Sequence, residues 1–320
     1  MEEAKENPQQ QTETQPKDTA ENKALPKDVL KIMTFNVASL RASWQHGLPF
    51  YVKNAQPDIL CIQETKMHSK AKPPVEDFKL EGYHGYFNHA ERKGYSGTAI
   101  YTKYKPISIE PSSGITDPNG RCITAEFTNF YLVNSYVVNA GAQLENLQYK
   151  INTFNPQIET HIENLRKKKM VIWTGDLNVA HEDIDIWTPE GHEKVAGFTK
   201  EERDWFHSFL GKGYVDIFRK LYPTKQQFTF FNYRGFARAK NHGWRIDYFV
   251  INRDSIKDGM IIDCTIDSTV DFSDHLPVNL LLNKDMIIDE KKDQKVKSAG
   301  ITVLETKKTQ QISNFFQISK

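Results

Sequence analysis

Nine short runs rich in β-branched and aromatic residues occupy the middle of the chain and most constrain its fold. Each run is bounded by Gly, Pro, Asn or Asp, which is the pattern of strands separated by turns. The runs cover residues 29–37, 58–64, 97–103, 122–127, 131–138, 170–179, 245–252, 261–266 and 275–282. Because several runs follow one another directly, we expect mainly antiparallel pairing rather than a regular parallel strand–helix array.

Two further stretches have apolar residues at helical spacing. Between Leu144 and Leu165 the apolar residues recur at intervals of three and four, and a second series includes Trp205 and Phe209. We expect Pro156 to split the first stretch in two, because an interior proline removes a backbone hydrogen bond. These elements predict an α+β fold in which two stacked, mainly antiparallel sheets are flanked by helices.

Composition changes sharply at both ends of the chain. Residues 1–28 have too few apolar side chains to offset the entropy of ordering, which predicts a disordered polar tail. Residues 284–320 are again largely charged, which predicts a second flexible tail and leaves residues 29–283 as the folded domain. With 42 Lys and Arg against 41 Asp and Glu, the net charge is +1. Contact with an anionic polymer therefore requires a local basic patch or metal ions.

The cysteines and the amino-terminal sequence bear on the cellular compartment. Cys61, Cys122 and Cys264 are odd in number and lack C-x-x-C spacing, which argues against a disulfide-stapled secreted protein. The first residues contain no apolar signal-peptide core, and no run approaches ~18 apolar residues. We therefore expect a soluble intracellular protein that makes no membrane contact.

Polar residues end the predicted strands repeatedly. Asn36 closes the first run, Glu64 the second, and Asp176 with Asn178 the sixth. Tyr136 and Asn139 mark the end of a later run, Asp247 lies inside RIDYF, and Asp274 precedes His275. Each one alone is an ordinary turn former or solvated cap. Together, however, such side chains at the ends of buried strands can converge on one rim of a sandwich.

The chemistry of this set favours a hard divalent ion. It lacks the Cys and His clusters that zinc prefers and offers carboxylate and amide oxygens, which suit Mg²⁺ or Mn²⁺. A Mg²⁺ site beside an Asp–His pair suits phosphoester hydrolysis. The sequence contains no Gly-rich phosphate loop, no G-x-S-x-G motif and no Cys–His nucleophile signature, so acyl transfer has no support.

Eight segments resemble, in order, the motifs of the exonuclease III class of apurinic/apyrimidinic endonucleases, which belongs to the endonuclease/exonuclease/phosphatase superfamily. They are FNVASLR (35–41), DILCIQETK (58–66), YSGTAIYTK (95–103), NSYVVNAG (134–141), WTGDLNVAHEDID (173–185), AGFTKEERDWF (196–206), HGWRIDYF (242–249) and SDHLPV (273–278). The resemblance implies a four-layer α/β sandwich of two mixed sheets between helices. It also implies Mg²⁺-dependent cleavage 5′ of abasic sites in base excision repair, leaving a 3′-hydroxyl. Family members often show 3′-phosphodiesterase, 3′-phosphatase and 3′–5′ exonuclease activity as well.

The resemblance further implies roles for individual residues in metal binding and water activation. Glu64 is the expected principal metal ligand, with Asn36 and Asp274 nearby. Asp176 is the expected base that aligns and deprotonates the attacking water. Asn178 is expected to hold that water or the charged transition state. Asp176, Asn178 and His275 are additional candidate metal ligands, and the sequence leaves open whether one or two ions bind.

Other roles implied by the resemblance concern the DNA. His275, oriented by Asp247, is expected to donate a hydrogen bond to a phosphate oxygen. Tyr136 is expected to contact the phosphate or to assist departure of the leaving oxygen. The expected substrate-binding residues, including those that line a pocket for the extruded base-less sugar, are Asn139, Phe230, Arg234, Trp244 and Ile246. Candidate phosphate contacts are Arg41, Lys66, Lys103, Arg238, Lys240 and Arg245.

The chain departs from the family pattern at several positions. Ala38 stands where many relatives have Asp or Asn, and Ala142 stands where Arg is usual. Arg234 occupies a position at which an apolar residue often inserts into DNA. Thr188, His192 and Val195 occupy loop positions that are commonly Asn. Strong 3′-end processing with modest abasic-site selectivity therefore remains an open alternative.

The carboxyl-terminal segment TQQISNFF (309–316) resembles the short peptide that docks on the sliding clamp. Ile312, Phe315 and Phe316 form its expected apolar plug, with Thr309 at the usual glutamine position. The expected partners are therefore the clamp and double-stranded DNA that carries abasic sites or blocked 3′ ends. We expect a monomeric enzyme located in the nucleus.

Two alternatives stay open. The first keeps the superfamily but changes the substrate, giving a phosphodiesterase for 3′ ends, RNA or DNA adducts, or a lipid or inositol phosphatase. The second is a non-enzymatic adaptor that binds the clamp. It has little support, because the predicted ligand set is complete apart from Ala38.

Overall fold

The structure is a computed structural model that describes residues 28–68, 70, 74–288 and 296–305. The strands are β1 (Val29–Asn36), β2 (Ile59–Gln63), β3 (His84–Asn88), β4 (Thr98–Thr102), β5 (Ser108–Pro111), β6 (Cys122–Glu126), β7 (Phe130–Tyr136), β8 (Met170–Asp176), β9 (Tyr214–Asp216), β10 (Asp247–Asn252), β11 (Ile261–Ile266), β12 (Val278–Asn283), β13 (Lys297–Ser298) and β14 (Thr302–Leu304). Residues 1–27 of the predicted tail 1–28 lie outside the described residues, as does the predicted clamp peptide with Ile312, Phe315 and Phe316.

The helices are α1 (Leu40–Gln45), α2 (Leu48–Ala55), α3 (Leu147–Tyr149), α4 (Asn155–Arg166), α5 (Lys200–Gly211) and α6 (Ile217–Leu221). Single 3₁₀ turns cover Val75–Asp77, Asp183–Asp185, Arg234–Phe236, Arg253–Ser255 and Lys284–Met286. Within the described ranges, none of the helices is long and apolar enough to cross a membrane.

In the part of the chain that the structure describes, the strands form two sheets of seven. One sheet has the order β11-β12-β1-β2-β4-β3-β14, and the other has the order β13-β5-β6-β7-β8-β10-β9. The pairs β1–β2, β7–β8 and β5–β13 are parallel and the remaining pairs are antiparallel. Helices cover the outer faces. The predicted four-layer sandwich of mixed, mainly antiparallel sheets is confirmed.

Successive side chains of a strand point to opposite faces of its sheet, so they pack alternately in the core between the sheets and in the core beneath the helices. In β8, Ile172 joins the core between the two sheets, whereas Trp173 joins the outer core beneath α4 and α5. In β2, Cys61 lies in the inner core and Leu60 lies beneath α1 and α2. This period of two explains why the strands are apolar at nearly every position: both faces of each sheet are buried.

The topology gathers strand ends at one rim. The parallel strands β1 and β2 end at Asn36 and Gln63, and the parallel strands β7 and β8 end at Tyr136 and Asp176. Two antiparallel strands begin at the same edge. β10 begins at Asp247, which pairs with Asp176 at the end of β8, and β12 begins at Val278, which pairs with Thr34 near the end of β1. Polar residues that are far apart in sequence therefore meet above the inner core.

Two elements differ from the sequence-based expectations. The helical stretch around Pro156 is continuous, because a π turn at Lys150–Phe154 precedes the proline and Asn155 N–H donates to Lys150 O. Such a wide turn absorbs the bond that proline removes. Residues 296–305, expected in a flexible tail, instead supply β13 on the edge of one sheet and β14 on the edge of the other. Leu304 is buried there, so backbone pairing and a buried leucine fix this segment.

A buried ion pair fixes the loop that follows β8. Lys150 is 1% exposed, and its Nζ donates to Glu202 Oε1 at 2.6 Å and to the carbonyl oxygen of Asn178 at 2.6 Å. The other oxygen, Glu202 Oε2, accepts from the backbone of Gly197 and from Thr199 Oγ1. Burial lowers the pKa of Lys150, and the neighbouring Glu202 charge opposes this shift. The pair therefore ties the π turn, α5 and the loop at Asn178 together.

Replacement of Lys150 by methionine should destabilise the protein strongly, because Lys150→Met leaves the Glu202 carboxylate buried without a countercharge. We expect a loss of about 3–5 kcal/mol in the free energy of unfolding, measured by urea denaturation. The matched control is Lys212→Met, which breaks the exposed pair with Glu159 and should cost less than about 1 kcal/mol. Equal losses in the two variants would contradict the structural role of Lys150.

Candidate active site

Asn36 joins two carboxylates across the sheets. Its Nδ2 donates to Glu64 Oε1 at 3.0 Å and to Asp176 Oδ2 at 2.9 Å, while its Oδ1 accepts from Ala38 N–H. Glu64 follows β2 in one sheet and Asp176 ends β8 in the other. One amide at the end of β1 therefore holds the carboxylates of both sheets within a few ångströms of each other.

His275 lies between two buried carboxylates. Its Nδ1 is 2.9 Å from Asp247 Oδ2, and its Nε2 is 3.7 Å from Asp176 Oδ2. The backbone fixes this arrangement, since His275 N–H donates to Ser273 Oγ and Ser273 Oγ donates to Asn36 O. Thr229 Oγ1 accepts the N–H of Asp247 and so positions that carboxylate. The sequence pattern gave no sign of this role for Thr229.

The proximity of these buried groups shifts the pKa values of Asp176 and His275. Burial raises the pKa of Asp176 to about 7, because it favours the neutral carboxyl. The Asp247 charge adds to this shift, and the neighbouring His275 opposes it. Burial alone would lower the pKa of His275, but the charge and hydrogen bond of Asp247, together with Asp176 and Asp274, outweigh it and raise the pKa to about 10. The Asp247 carboxylate therefore favours the protonated form of His275 in the metal-free protein, and in this form the imidazolium donates hydrogen bonds.

Backbone strain concentrates around the same rim. Ala38, Glu64, Lys66 and Asn178 have φ values of 54°, 53°, 50° and 50°, in the left-handed region that non-glycine residues rarely adopt. Such positions cost of order 1–3 kcal/mol each and persist only where the surroundings hold them. Gly175 precedes Asp176 with φ 127°, and a Cβ at this residue would lie 1.9 Å from Ser135 O. This close approach requires glycine and sets the position of Asp176.

The residues present fit a hard divalent ion. Asp176, Asp247 and His275 form, among the described residues, a cluster whose ligand atoms lie within 4.8 Å of one another. The Oδ1 atom of Asp247 is buried without a hydrogen-bond partner. Glu64 Oε2 lies 3.0 Å from the Lys66 ammonium, so a cation already approaches this carboxylate. The surplus of carboxylate oxygens is the donor set that such ions require.

The remaining predicted polar residues have different placements. Asn178 is buried after β8, with Asn139 Nδ2 donating to its Oδ1 at 2.8 Å. Tyr136 pairs in register with Asp176, and the Arg121 guanidinium lies 5.0 Å from its ring centroid. Asp274 is adjacent to His275 in sequence, but its Oδ1 only approaches Ser273 Oγ to 3.5 Å and its side chain is not part of the three-residue cluster.

An aromatic cluster adjoins His275. The ring centroid of Phe230 is 4.9 Å from that of His275, and the backbone of Phe230 pairs with Trp244. Ile246 packs in the same cluster. The ring of His192, one of the departures from the family pattern, lies 5.6 Å from Trp244. The predicted sugar-pocket residues therefore lie together beside the imidazole of His275.

Two of the predicted DNA contacts differ in exposure. Arg245, a candidate phosphate contact, is 1% exposed and bonds to Asp185 and Asp216, so this prediction is wrong. The guanidinium of Arg245 is paired with these two carboxylates and does not reach the surface. Arg234 is exposed on the loop beyond Phe230, as the prediction of a DNA contact requires.

Loss of the Asp247 charge should make His275 less basic. We expect Asp247→Asn to lower the pKa of His275 from about 10, because the neighbouring charge that outweighs burial is removed. An NMR titration of the imidazole Cε1–H in chelator-treated protein measures it, with His275→Gln assigning the signal. In the unsubstituted protein, the stabilisation from protonated His275 is complete below about pH 6.5 and is lost as pH rises through about 10. An unchanged pKa in Asp247→Asn would contradict this electrostatic account.

Comparisons with known proteins agree with the motifs. A sequence profile described as the Endonuclease/Exonuclease/phosphatase family matches residues 33–275. A DNA-(apurinic or apyrimidinic site) endonuclease of Dictyostelium discoideum is 40% identical over 271 residues, covering 83% of this chain and 74% of the relative. An exodeoxyribonuclease of Bacillus subtilis is 40% identical over 258 residues, covering 79% of this chain and 100% of the relative.

A solved structure gives the same result for the fold. The crystal structure of an AP endonuclease from Leishmania major matches with a TM-score of 0.74 and 31% identity, covering 80% of this chain and 88% of that one. The sequence profile extends from β1 to His275 and so includes the whole rim described above. The chain therefore belongs to the endonuclease/exonuclease/phosphatase family, as its motifs predicted.

Proposed function

We propose that this protein is a Mg²⁺-dependent DNA repair nuclease that hydrolyses the phosphodiester 5′ of abasic sites and leaves a 3′-hydroxyl. The observation that carries this proposal is the juxtaposition of Glu64 and the Asp176–His275–Asp247 cluster through Asn36. The relatives from Dictyostelium discoideum and Leishmania major, which are endonucleases by name, support the same substrate.

The residues divide the chemistry between them. Asp176 takes a proton from the attacking water, and its raised pKa of about 7 places this base near neutral pH. The water oxygen bonds to phosphorus as the bond to the 3′ oxygen of the leaving strand breaks. His275, held by Asp247, donates a hydrogen bond to a phosphate oxygen, and Tyr136 donates to the departing 3′ oxygen.

Glu64 and Asn36 are the proposed principal residues for the cation, with Asp274 at the edge of the site. When bound, Mg²⁺ neutralises charge on the phosphate in the transition state. Mn²⁺ suits the same oxygen donors. Asn178, fixed through Asn139 and Lys150, lies beside Asp176 and orients the water.

Substrate choice rests on the aromatic cluster beside His275. Phe230, Trp244 and Ile246 pack in one apolar cluster. We propose that this cluster receives the base-less sugar, since a nucleotide without its base is cheap to extrude. Arg234 lies on the exposed loop that follows and contacts the DNA backbone. The pocket thereby links recognition of the lesion to the scissile phosphate.

Replacement of Asp176 by asparagine should abolish strand cleavage and leave the fold intact. The assay uses a duplex with one tetrahydrofuran abasic analogue, incubated with Mg²⁺ and then with chelator. We expect Asp176→Asn to lower the nicking rate by about 10²–10⁴-fold, whereas Asp204→Asn on the exposed face of α5 should not change it. Rapid nicking by Asp176→Asn, or nicking in chelator, would contradict the assigned chemistry.

Processing of 3′ ends is a second candidate for the main activity. Ala38 and Ala142 reduce the polar and basic groups at the rim, and the Bacillus subtilis relative is an exodeoxyribonuclease by name. The same assay, run in parallel on mismatched 3′ ends, 3′-phosphates and RNA, ranks these substrates against the abasic duplex.

We further propose that residues 309–316 bind the sliding clamp and that the protein acts as a monomer in the nucleus. The apolar Phe315–Phe316 pair, which follows the charge-rich residues 284–308, supports a docking peptide. Deletion of residues 309–320 should abolish clamp association in a pull-down while nicking of short oligonucleotides persists. Retained clamp binding by the truncated protein would refute this role for the segment.

A further inference from the structure

A second cavity lies beside the active site, beneath the loop that follows Phe230. Its volume is about 410 Å³. We call it the aromatic recess, defined by Phe231, Asn232, Tyr233, Phe236, Arg238 and Asp274. Phe230, Trp244 and Ile246 do not line this cavity, so it is separate from the proposed sugar pocket.

Aromatic rings dominate the walls of the recess. Phe231 is buried at its base, whereas Tyr233 and Phe236 are 68% and 80% exposed. Two large rings left in water beside a cavity mark a binding surface rather than part of the core. Polar groups also line the recess, namely the Asn232 amide, the Ser273 hydroxyl, the Arg238 guanidinium and the carboxylates of Asp271 and Asp274.

The backbone of the loop is strained at Phe236. Gly235 and Phe236 have φ values of 71° and 57°, two consecutive left-handed residues, and a bulky residue in this region is a rare outlier. Arg238 holds the loop in place by donating to the carbonyl oxygens of Val270 and Ser273. A strained, exposed aromatic on a fixed loop is typical of a residue retained for binding.

The recess is continuous with the active-site rim. Asp274 lines it and immediately precedes His275, and Phe231 N–H donates to Asp274 O at 2.8 Å. Arg238 reaches the carbonyl of Ser273, the residue whose hydroxyl bonds to the end of β1. A group bound in the recess would therefore lie next to the scissile phosphate.

We propose that the aromatic recess binds an unpaired nucleobase of the DNA substrate. This inference rests on the proposed function, because DNA must occupy the adjacent site. Of the components of DNA, only the base has two flat faces for stacking on Tyr233 and Phe236 and a polar edge for Asn232 and Asp274. The Phe230 pocket takes the base-less sugar, and the recess takes a base that has lost its partner.

The first test separates unpaired from paired DNA. Phe236→Asn removes the ring but keeps a residue that tolerates positive φ, so the loop retains its conformation. In chelator, which prevents cleavage, fluorescence anisotropy should show about tenfold weaker binding of the abasic duplex and less than about twofold weaker binding of a fully paired duplex. Phe50→Ala, which removes an exposed aromatic from α2, should change neither value. Equal weakening of both duplexes by Phe236→Asn would overturn the proposal.

The second test identifies the base. 5-Iodouracil is placed either opposite the abasic analogue or at a mismatched 3′ end, and the complex is irradiated and digested for mass spectrometry. A crosslink within residues 232–238 in either duplex supports the recess and shows which base enters it. Crosslinks confined to Phe230 or Trp244, or no crosslink in either duplex, would overturn it.

The two proposals fail in different ways. If the wild-type protein did not nick the abasic duplex in Mg²⁺, the proposed function would fail. If it nicked that duplex but Phe236→Asn bound both duplexes as the wild type does, only the recess would be refuted.

Discussion

Hydrogen bonds between buried amides and carboxylates of the two sheets hold the site together. Asn36 Nδ2 donates to Glu64 and Asp176, and below it Gln63 Nε2 donates to Asn134 Oδ1 at 2.7 Å. These bonds cross the sandwich where apolar side chains elsewhere fill it. A buried polar group without a partner is costly, so the network permits one register of the sheets. The same bonds that align the sheets therefore bring the reacting carboxylates together.

Much of this arrangement could be predicted from the sequence, for two physical reasons. Strands buried on both faces need continuous apolar runs, and those runs are visible wherever the strand is long. Polar residues near the ends of such runs lie at a rim, which is why Asn36, Glu64, Asp176 and Asp247 could be predicted from the sequence alone. The motif resemblance then supplied their order and His275.

Other features could not be predicted, because they depend on contacts between distant parts of the sequence. β13 and β14 are short and flanked by charge, and only pairing with distant strand edges makes them ordered. Arg245 stands in a motif beside Asp247, yet its side chain points to buried carboxylates from two other segments. Lys150 carries no local signal, because its partners are Glu202 and the backbone of Asn178. The roles of such residues depend on contacts with positions dozens of residues away, and the periodicity of the sequence does not reveal those contacts.

We propose that one cation and one scissile phosphate share the rim built on Asn36. Anomalous diffraction from crystals of the protein soaked with Mn²⁺ and bound to an abasic-analogue duplex tests it most directly. We expect a manganese peak bonded to Glu64, with the phosphate 5′ of the lesion within hydrogen-bond distance of His275. A metal peak remote from Glu64, or a phosphate bound away from His275, would contradict it.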